Sequence, residues 1–244
     1  MASLRVGVAS LLVAIWVGPM PASRAALPTC GTSGAFFSDW ASSTSGEPHR
    51  YEGVYATILY RKGALCSTDN TTNNSWSAWT MVFSANSAGW AQSGHFFYNG
   101  VSCWKHFAQQ RRNAGQAPKT KEGACVAAGQ LHGAIQGTVW SPAHNQWEIQ
   151  SGIDNTIFLQ STWSQFVYWT TPFVVSFAGE THHVASDVPG YSTSKTDFSL
   201  MTVQNWDDDT FYGTCGFVTL YPHTDPRYAT DAPACNHVRV WTSG

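Results

Sequence analysis

The chain has 244 residues, 43% of them hydrophobic and 14% aromatic, with twelve Trp. That aromatic load excludes a disordered chain. Charged residues make up only 11%, against about 25% in ordinary soluble domains. Thirteen Lys/Arg stand against fifteen Asp/Glu, for a net charge of −2. The basic residues form no stripe, so no nucleic-acid partner is expected.

Arg5 gives the N-terminus a positive start, and residues 6–18 form an apolar run. Thirteen residues are too few to span a bilayer comfortably. Pro19 and Pro21 break the run, and Ser23-Arg24-Ala25 offers a small-x-small cleavage signal. Residues 1–25 therefore read as a secretory signal peptide, cut after Ala25. Residues 26–244 read as one secreted, extracellular domain, monomeric and free of the membrane after cleavage. This part keeps eleven basic and fifteen acidic residues.

All six cysteines follow the cleavage point. An even number in an exported chain predicts three disulfides and no free thiol nucleophile. Of the possible pairings, Cys30–Cys66, Cys103–Cys125 and Cys215–Cys235 close the shortest loops and are the expected set. No CxxC occurs, and His106 and His237 follow Cys103 and Cys235 without a full ligand set, so no metal site is expected. His182 and His183 are adjacent on a predicted strand and point to opposite faces, which separates them as ligands. Asn70 and Asn73 begin glycosylation sequons, relevant only on a eukaryotic secretory route.

The rest reads as strands and turns. Runs rich in Val, Ile, Thr, Tyr, Phe and Trp alternate with Gly/Ser/Asn/Pro clusters. In chain order the predicted strands are 51–60, 76–84, 90–98, 134–140, 147–152, 155–159, 173–183, 196–203, 211–220 and 237–241. Asn99-Gly100 is a hairpin signal. Residues 104–115 carry helical spacing at Trp104, Phe107, Ala108 and Arg111, but they follow the Asn-Gly turn directly and read as a strand and a loop. Residues 27–50 read as a segment before the first strand. Such spacing predicts an all-β, antiparallel sandwich or barrel.

There is no GxGxxG, P-loop, GxSxG or HExxH. Asp207-Asp208-Asp209 supplies hard oxygen ligands, and a solvated turn is the plainer reading. Five Glu follow residue 25: Glu47 and Glu122 among loop residues, Glu52, Glu148 and Glu180 in strand-like runs. On the strand around Glu180, alternation puts Ser176, Ala178, Glu180 and His182 on one face, with Val175, Phe177, Gly179 and Thr181 on the other. The neighbouring Gly179 offers a place where a substrate backbone could approach. Gln92 shares a face with Trp90, Gly94 and Phe96, where a buried amide needs a partner.

Three segments in this order resemble the glutamic peptidases, the fungal eqolisins and plant neprosins. Ser77-Ala78-Trp79-Thr80-Met81-Val82 is similar to their Ala-Trp-Val strand. Ala91-Gln92-Ser93-Gly94 resembles the eqolisin Leu-Gln-Thr-Gly segment, and Phe177-Ala178-Gly179-Glu180 their Gly-Gly-Glu neighbourhood. The run from Gly179 to Gly190 also resembles secreted actinobacterial proteins. The resemblance implies a concanavalin A-like jelly-roll β-sandwich and acid peptide hydrolysis by a Gln92/Glu180 dyad, with no cofactor. Glu180 would be the general base toward water, and Gln92 the donor to the oxyanion. Such a dyad needs both side chains on one face, close enough to share a water. Two departures stand out: Cys103-Trp104-Lys105-His106-Phe107 carries no acid where eqolisins have one, and neprosins use two Glu.

Two other readings use different residues. Trp90, Trp147 and Trp169 are candidate substrate-binding platforms, and with Trp163 and Tyr168 they suit a polysaccharide or cell-surface ligand. Most Trp in a small sandwich fill the core instead. Glu148 with Glu180 would make a glycosidase acid pair if they lay about 5–9.5 Å apart.

Overall fold

The structure is a computed structural model that describes residues 30–42, 51–66, 74–84, 89–98, 101–162, 173–205 and 207–243. The predicted leader, both sequon asparagines, the Asn99-Gly100 turn, Trp163, Tyr168 and Trp169 lie outside the described residues. All regular structure among the described residues is β. No helix among them is long and apolar enough to cross a membrane.

Two sheets stack. The first has seven strands in the order β14 (Leu220–Thr224), β1 (Ser33–Ser42), β10 (Phe173–His183), β3 (Ser75–Ser84), β4 (Trp90–Tyr98), β5 (Trp104–Arg111) and β6 (Lys119–Val126). The second runs β15 (Tyr228–Ala234), β16 (His237–Thr242), β11 (Gly190–Tyr191), β12 (Ser194–Asn205), β2 (Tyr51–Leu59), β7 (Leu131–Ser141), β8 (Gln146–Ile153) and β9 (Thr156–Thr162), with β13 (Phe211–Gly213) beside β12. The pairs are antiparallel except a one-residue parallel contact, Tyr191 with Thr242. This is the expected all-β antiparallel sandwich.

Period-2 alternation builds the core. Val54, Ala56 and Ile58 of β2 point inward and pack with Ala78 and Val82 of β3 and with Val175 and Phe177 of β10, all buried. A polar layer crosses the middle. Gln136 of β7 bonds Ser93 of β4 and, at 3.0 Å, the Thr80 hydroxyl of β3. Gln110 of β5 donates to the Ile149 carbonyl at 3.1 Å and the Ser151 hydroxyl at 2.9 Å on β8. A buried amide left unpaired costs about 1–3 kcal/mol, so these bonds penalise any sliding of one sheet over the other. Burial pushes His95 down to about 3 and His106 to about 4, which keeps both core imidazoles uncharged.

The three disulfides are Cys30–Cys66, Cys103–Cys125 and Cys215–Cys235, the shortest-loop set. Several expectations change. A strand, β1, forms within the segment read as preceding the first strand. Residues 119–126, including Glu122, form edge strand β6 rather than loop. The predicted strand 211–220 is broken. Only 211–213 and 220 onward are extended, because Cys215 is tied to Cys235 and Gly216 sits at φ 73°. Gly179 faces the core, where an added Cβ would press on Val240 and Val188, so no substrate approaches it there.

Candidate active site

The outer face of the seven-stranded sheet carries the residues of interest. Glu180 is paired with Phe37 of β1 and Ser77 of β3, and Ser77 with Phe96 of β4. Gln92 is paired with Met81 of β3 and Gln109 of β5. Directly paired residues point the same way, so Glu180 and Gln92 share this face. Both line one groove of about 420 Å³, together with Trp90, Phe96, Phe107 and His182. Phe96 and Phe107 form its apolar part and belong to a small cluster beneath it. Trp79, Phe107 and Ala178 are buried, with Phe37, Met81 and Phe96 packed against them.

Glu180 is held by two donors. The Trp79 indole Nε1–H donates to Oε2 at 2.7 Å, and His182 Nε2 meets Oε1 at 3.1 Å. The bond to Glu180 raises the His182 pKa above the ordinary histidine value. The Trp79 bond fixes the carboxylate plane, and the position of Trp79 follows from its place on β3, between Ser77 and Met81 on the same face. Gln92 is also braced. Its Nε2 donates to Gln109 Oε1 at 2.7 Å, and Gln109 Nε2 donates to the Thr120 hydroxyl at 3.0 Å. An amide nitrogen carries two hydrogens, so one is left for a ligand. Gly94 lies between Gln92 and Phe96 on this face. An added Cβ there would come within 2.0 Å of the Ala78 carbonyl oxygen, so only Gly lets β4 approach β3 this closely.

Glu180 and Gln92 are two strands apart and four residues out of register. In a flat sheet that offset is roughly 10 Å across the strands and roughly 13 Å along them. The two side chains thus reach into the groove from opposite ends of its floor, with Trp79 and Gly94 between.

Two residues of this face escape a census of glutamates. Trp79 enters the sequence reading only as part of a strand, and its role appears once β3 is seen beside β10. Asp39 of β1 is opposite Ala178, diagonal to Glu180 on the same face. Its Oδ2 accepts the Ser176 hydroxyl at 2.9 Å, and burial raises its pKa above the usual carboxylate value. The alternation around Phe37, Asp39 and Ala41 was the available signal.

Of the other candidates among the described residues, Trp90 alone reaches the groove, with the Arg111 guanidinium 5.5 Å over its ring. Trp147 lies in the second sheet, edge-on to Trp140 at 5.8 Å, and does not line the groove. Trp169 is outside the described residues. Glu148 is also in the second sheet, its carboxylate 2.6 Å from His144 Nδ1, so the Glu148/Glu180 acid pair is not assembled in one groove. Asp207–Asp209 form an exposed turn, where Asp208 accepts the Tyr212 hydroxyl at 2.5 Å.

Solved structures share this architecture. Scytalido-glutamic peptidase with a peptide-based transition state analog matches at 8% identity and a TM-score of 0.50, over 86% of this chain and 100% of that one. A second structure of scytalido-glutamic peptidase, with a transition state analog inhibitor, gives 0.51 at the same identity and coverage. SCP-B, a member of the eqolisin family in complex with the tripeptide Ala-Ile-His, matches at 9% identity and 0.45, over 86% and 98%. The likeness to scytalido-glutamic peptidase is one of fold. No family model and no curated protein matches the chain.

Proposed function

We propose that the protein is a secreted, extracellular endopeptidase active in acid, with Glu180 as general base and Gln92 as oxyanion donor. The observation that carries this reading is the Glu180 carboxylate, held at 2.7 Å by the Trp79 indole in the groove that Gln92 also lines. An extended peptide lies along the groove, its side chains against Phe96 and Phe107. Glu180 takes a proton from a water whose oxygen attacks the scissile carbonyl carbon. Negative charge develops on the carbonyl oxygen, and the free Nε2–H of Gln92 donates to it. Glu180 returns the proton to the amide nitrogen as the C–N bond breaks, leaving a carboxyl and an amine. Both groups act on one scissile carbonyl, so this step requires the twist of the sheet and the two side chains to close their four-residue offset onto a single tetrahedral centre.

The test is digestion of a denatured protein across pH 3–7, with new termini read by mass spectrometry. Internal cleavage by wild type and none by Glu180→Gln is expected. No cleavage at any pH, or equal cleavage by the variant, rejects the reading.

One observation favours a second reading. Trp90, Phe96 and Tyr98 line the same groove, with Phe96 and Tyr98 stacked at 5.4 Å. Aromatic faces of this kind hold sugar rings, which suits a non-catalytic polysaccharide-binding module. Sedimentation with insoluble glucan, chitin or cell wall that is lost in Trp90→Ala, in a protein without peptidase activity, would select it.

A further inference from the structure

Behind the groove, on the inner face of the same sheet, a cluster of histidines bridges the two sheets. His106 of β5 points inward, opposite His95 of β4. Across the sandwich stand His132 of β7 and Asp154 of the β8–β9 turn. The His106 and His132 rings are 4.5 Å apart, edge to face. One ligating atom from each of His106, His132 and Asp154 lies within 4.8 Å of the other two.

Three details go beyond mere proximity. His106 is 8% exposed, and its Nε2 has no hydrogen-bond partner among the described residues. An unpaired buried imidazole nitrogen is costly, and a missing ion is one recognised reason for such an atom. The buried Tyr60 hydroxyl, in the same cluster, is also without a partner among the described residues. The carboxylate is aimed: Asp154 Oδ1 accepts the Gly133 N–H at 2.8 Å, while Oδ2 lies 2.5 Å from His132 Nδ1. A backbone bond of this type orients a ligating carboxylate.

We propose that His106, His132 and Asp154 form a divalent metal site of the zinc class that clips the two sheets together. Two imidazoles and one carboxylate are a known zinc ligand set that leaves the fourth position open. The Asp154 side chain is half exposed, which gives an ion a path from solvent. Spacing along the chain hides the site, because the ligands lie 26 and 22 residues apart. Only the packing of one sheet on the other brings them together. This inference is independent of the peptidase reading, since the cluster faces away from the groove.

The test uses the disulfide-bonded protein after chelator treatment, titrated with Zn²⁺ by calorimetry and with Co²⁺ by visible absorption. One ion per chain is expected, with Co²⁺ bands that Zn²⁺ displaces and a rise in Tm at saturation. His132→Asn and Asp154→Asn should each weaken binding at least about tenfold, the lower bound for disturbing even an outer partner of a metal ligand. His144→Asn, elsewhere on the surface, should not. Asp154→Asn keeps the shape of an exposed turn residue, so its folding is checked by its Tm in chelator. No stoichiometric binding, or unchanged affinity in both ligand variants, overturns the proposal.

Discussion

At the scale of single residues, the candidate site depends on donors that hold a carboxylate and an amide in place. Trp79→Phe keeps an aromatic ring beneath the groove and removes the Nε1–H together with part of the indole's volume. Loss of one hydrogen bond to a charged group costs about 1.5–3 kcal/mol, so peptidase kcat should fall more than tenfold while KM changes little. Steady-state kinetics on a fluorogenic peptide reads that split. His182 offers a pH test. Its folded pKa is raised above 6.5 by Glu180. The pair therefore stabilises the fold fully below the unfolded pKa, and this is lost as pH rises through the folded value. His182→Ala should thus lower stability by about 0.2–1 kcal/mol at pH 5, the range of half-exposed pairs, and by less at pH 9. Denaturant melts at the two pH values check it.

At the scale of elements, strands with one apolar face were legible and strands without one were not. β2, β3, β4 and β10 are rich in aromatic and β-branched residues, and their limits in the sequence reading fall within a residue of the structure. β6 reads Lys-Thr-Lys-Glu-Gly-Ala-Cys-Val and is mostly exposed. Charged, lysine-bearing strands suit a sheet edge, where they discourage pairing with other chains, but they look like loop in a sequence. β1 is rich in Ser and Ala, which hides its pairing with β10. The disulfides were legible because each joins cysteines adjacent in sequence, 36, 22 and 20 residues apart. The metal cluster was not, because nothing local links its members. Cys103–Cys125 ties the start of β5 to the end of the exposed β6. Replacing both with Ser removes a constraint worth about 3 kcal/mol in the chain-entropy view. A fall in Tm of roughly 5–10 °C is expected by calorimetry.

At the scale of the whole molecule, two stacked sheets leave one outer face for chemistry and place polar groups where they couple to pH. Alternation gave the faces within each strand, Glu180 with Ala178 and His182, and Gln92 with Trp90 and Phe96, but that these faces meet in one groove, and with what offset, could only come from register. Glu52, 4% exposed, sits at the end of the inner face of β2. Burial, then the neighbouring Asp209, pushes its carboxyl up to about 8. The folded chain therefore holds a proton that the unfolded chain releases above about 4.5. Stability from this group is full at acid pH and falls as pH rises from about 4.5 to about 8. Glu52→Gln, neutral throughout, should flatten that fall and leave the variant more stable than wild type at pH 8. Melting curves from pH 4 to pH 8 measure it.

The most direct single measurement is kcat/KM on one internally quenched peptide at the acid optimum, for wild type and Glu180→Gln of equal Tm. A loss of about 10³-fold or more is expected if this carboxylate moves the proton. Rates within roughly threefold of each other would contradict it, since a merely structural Glu180 leaves the transition state untouched.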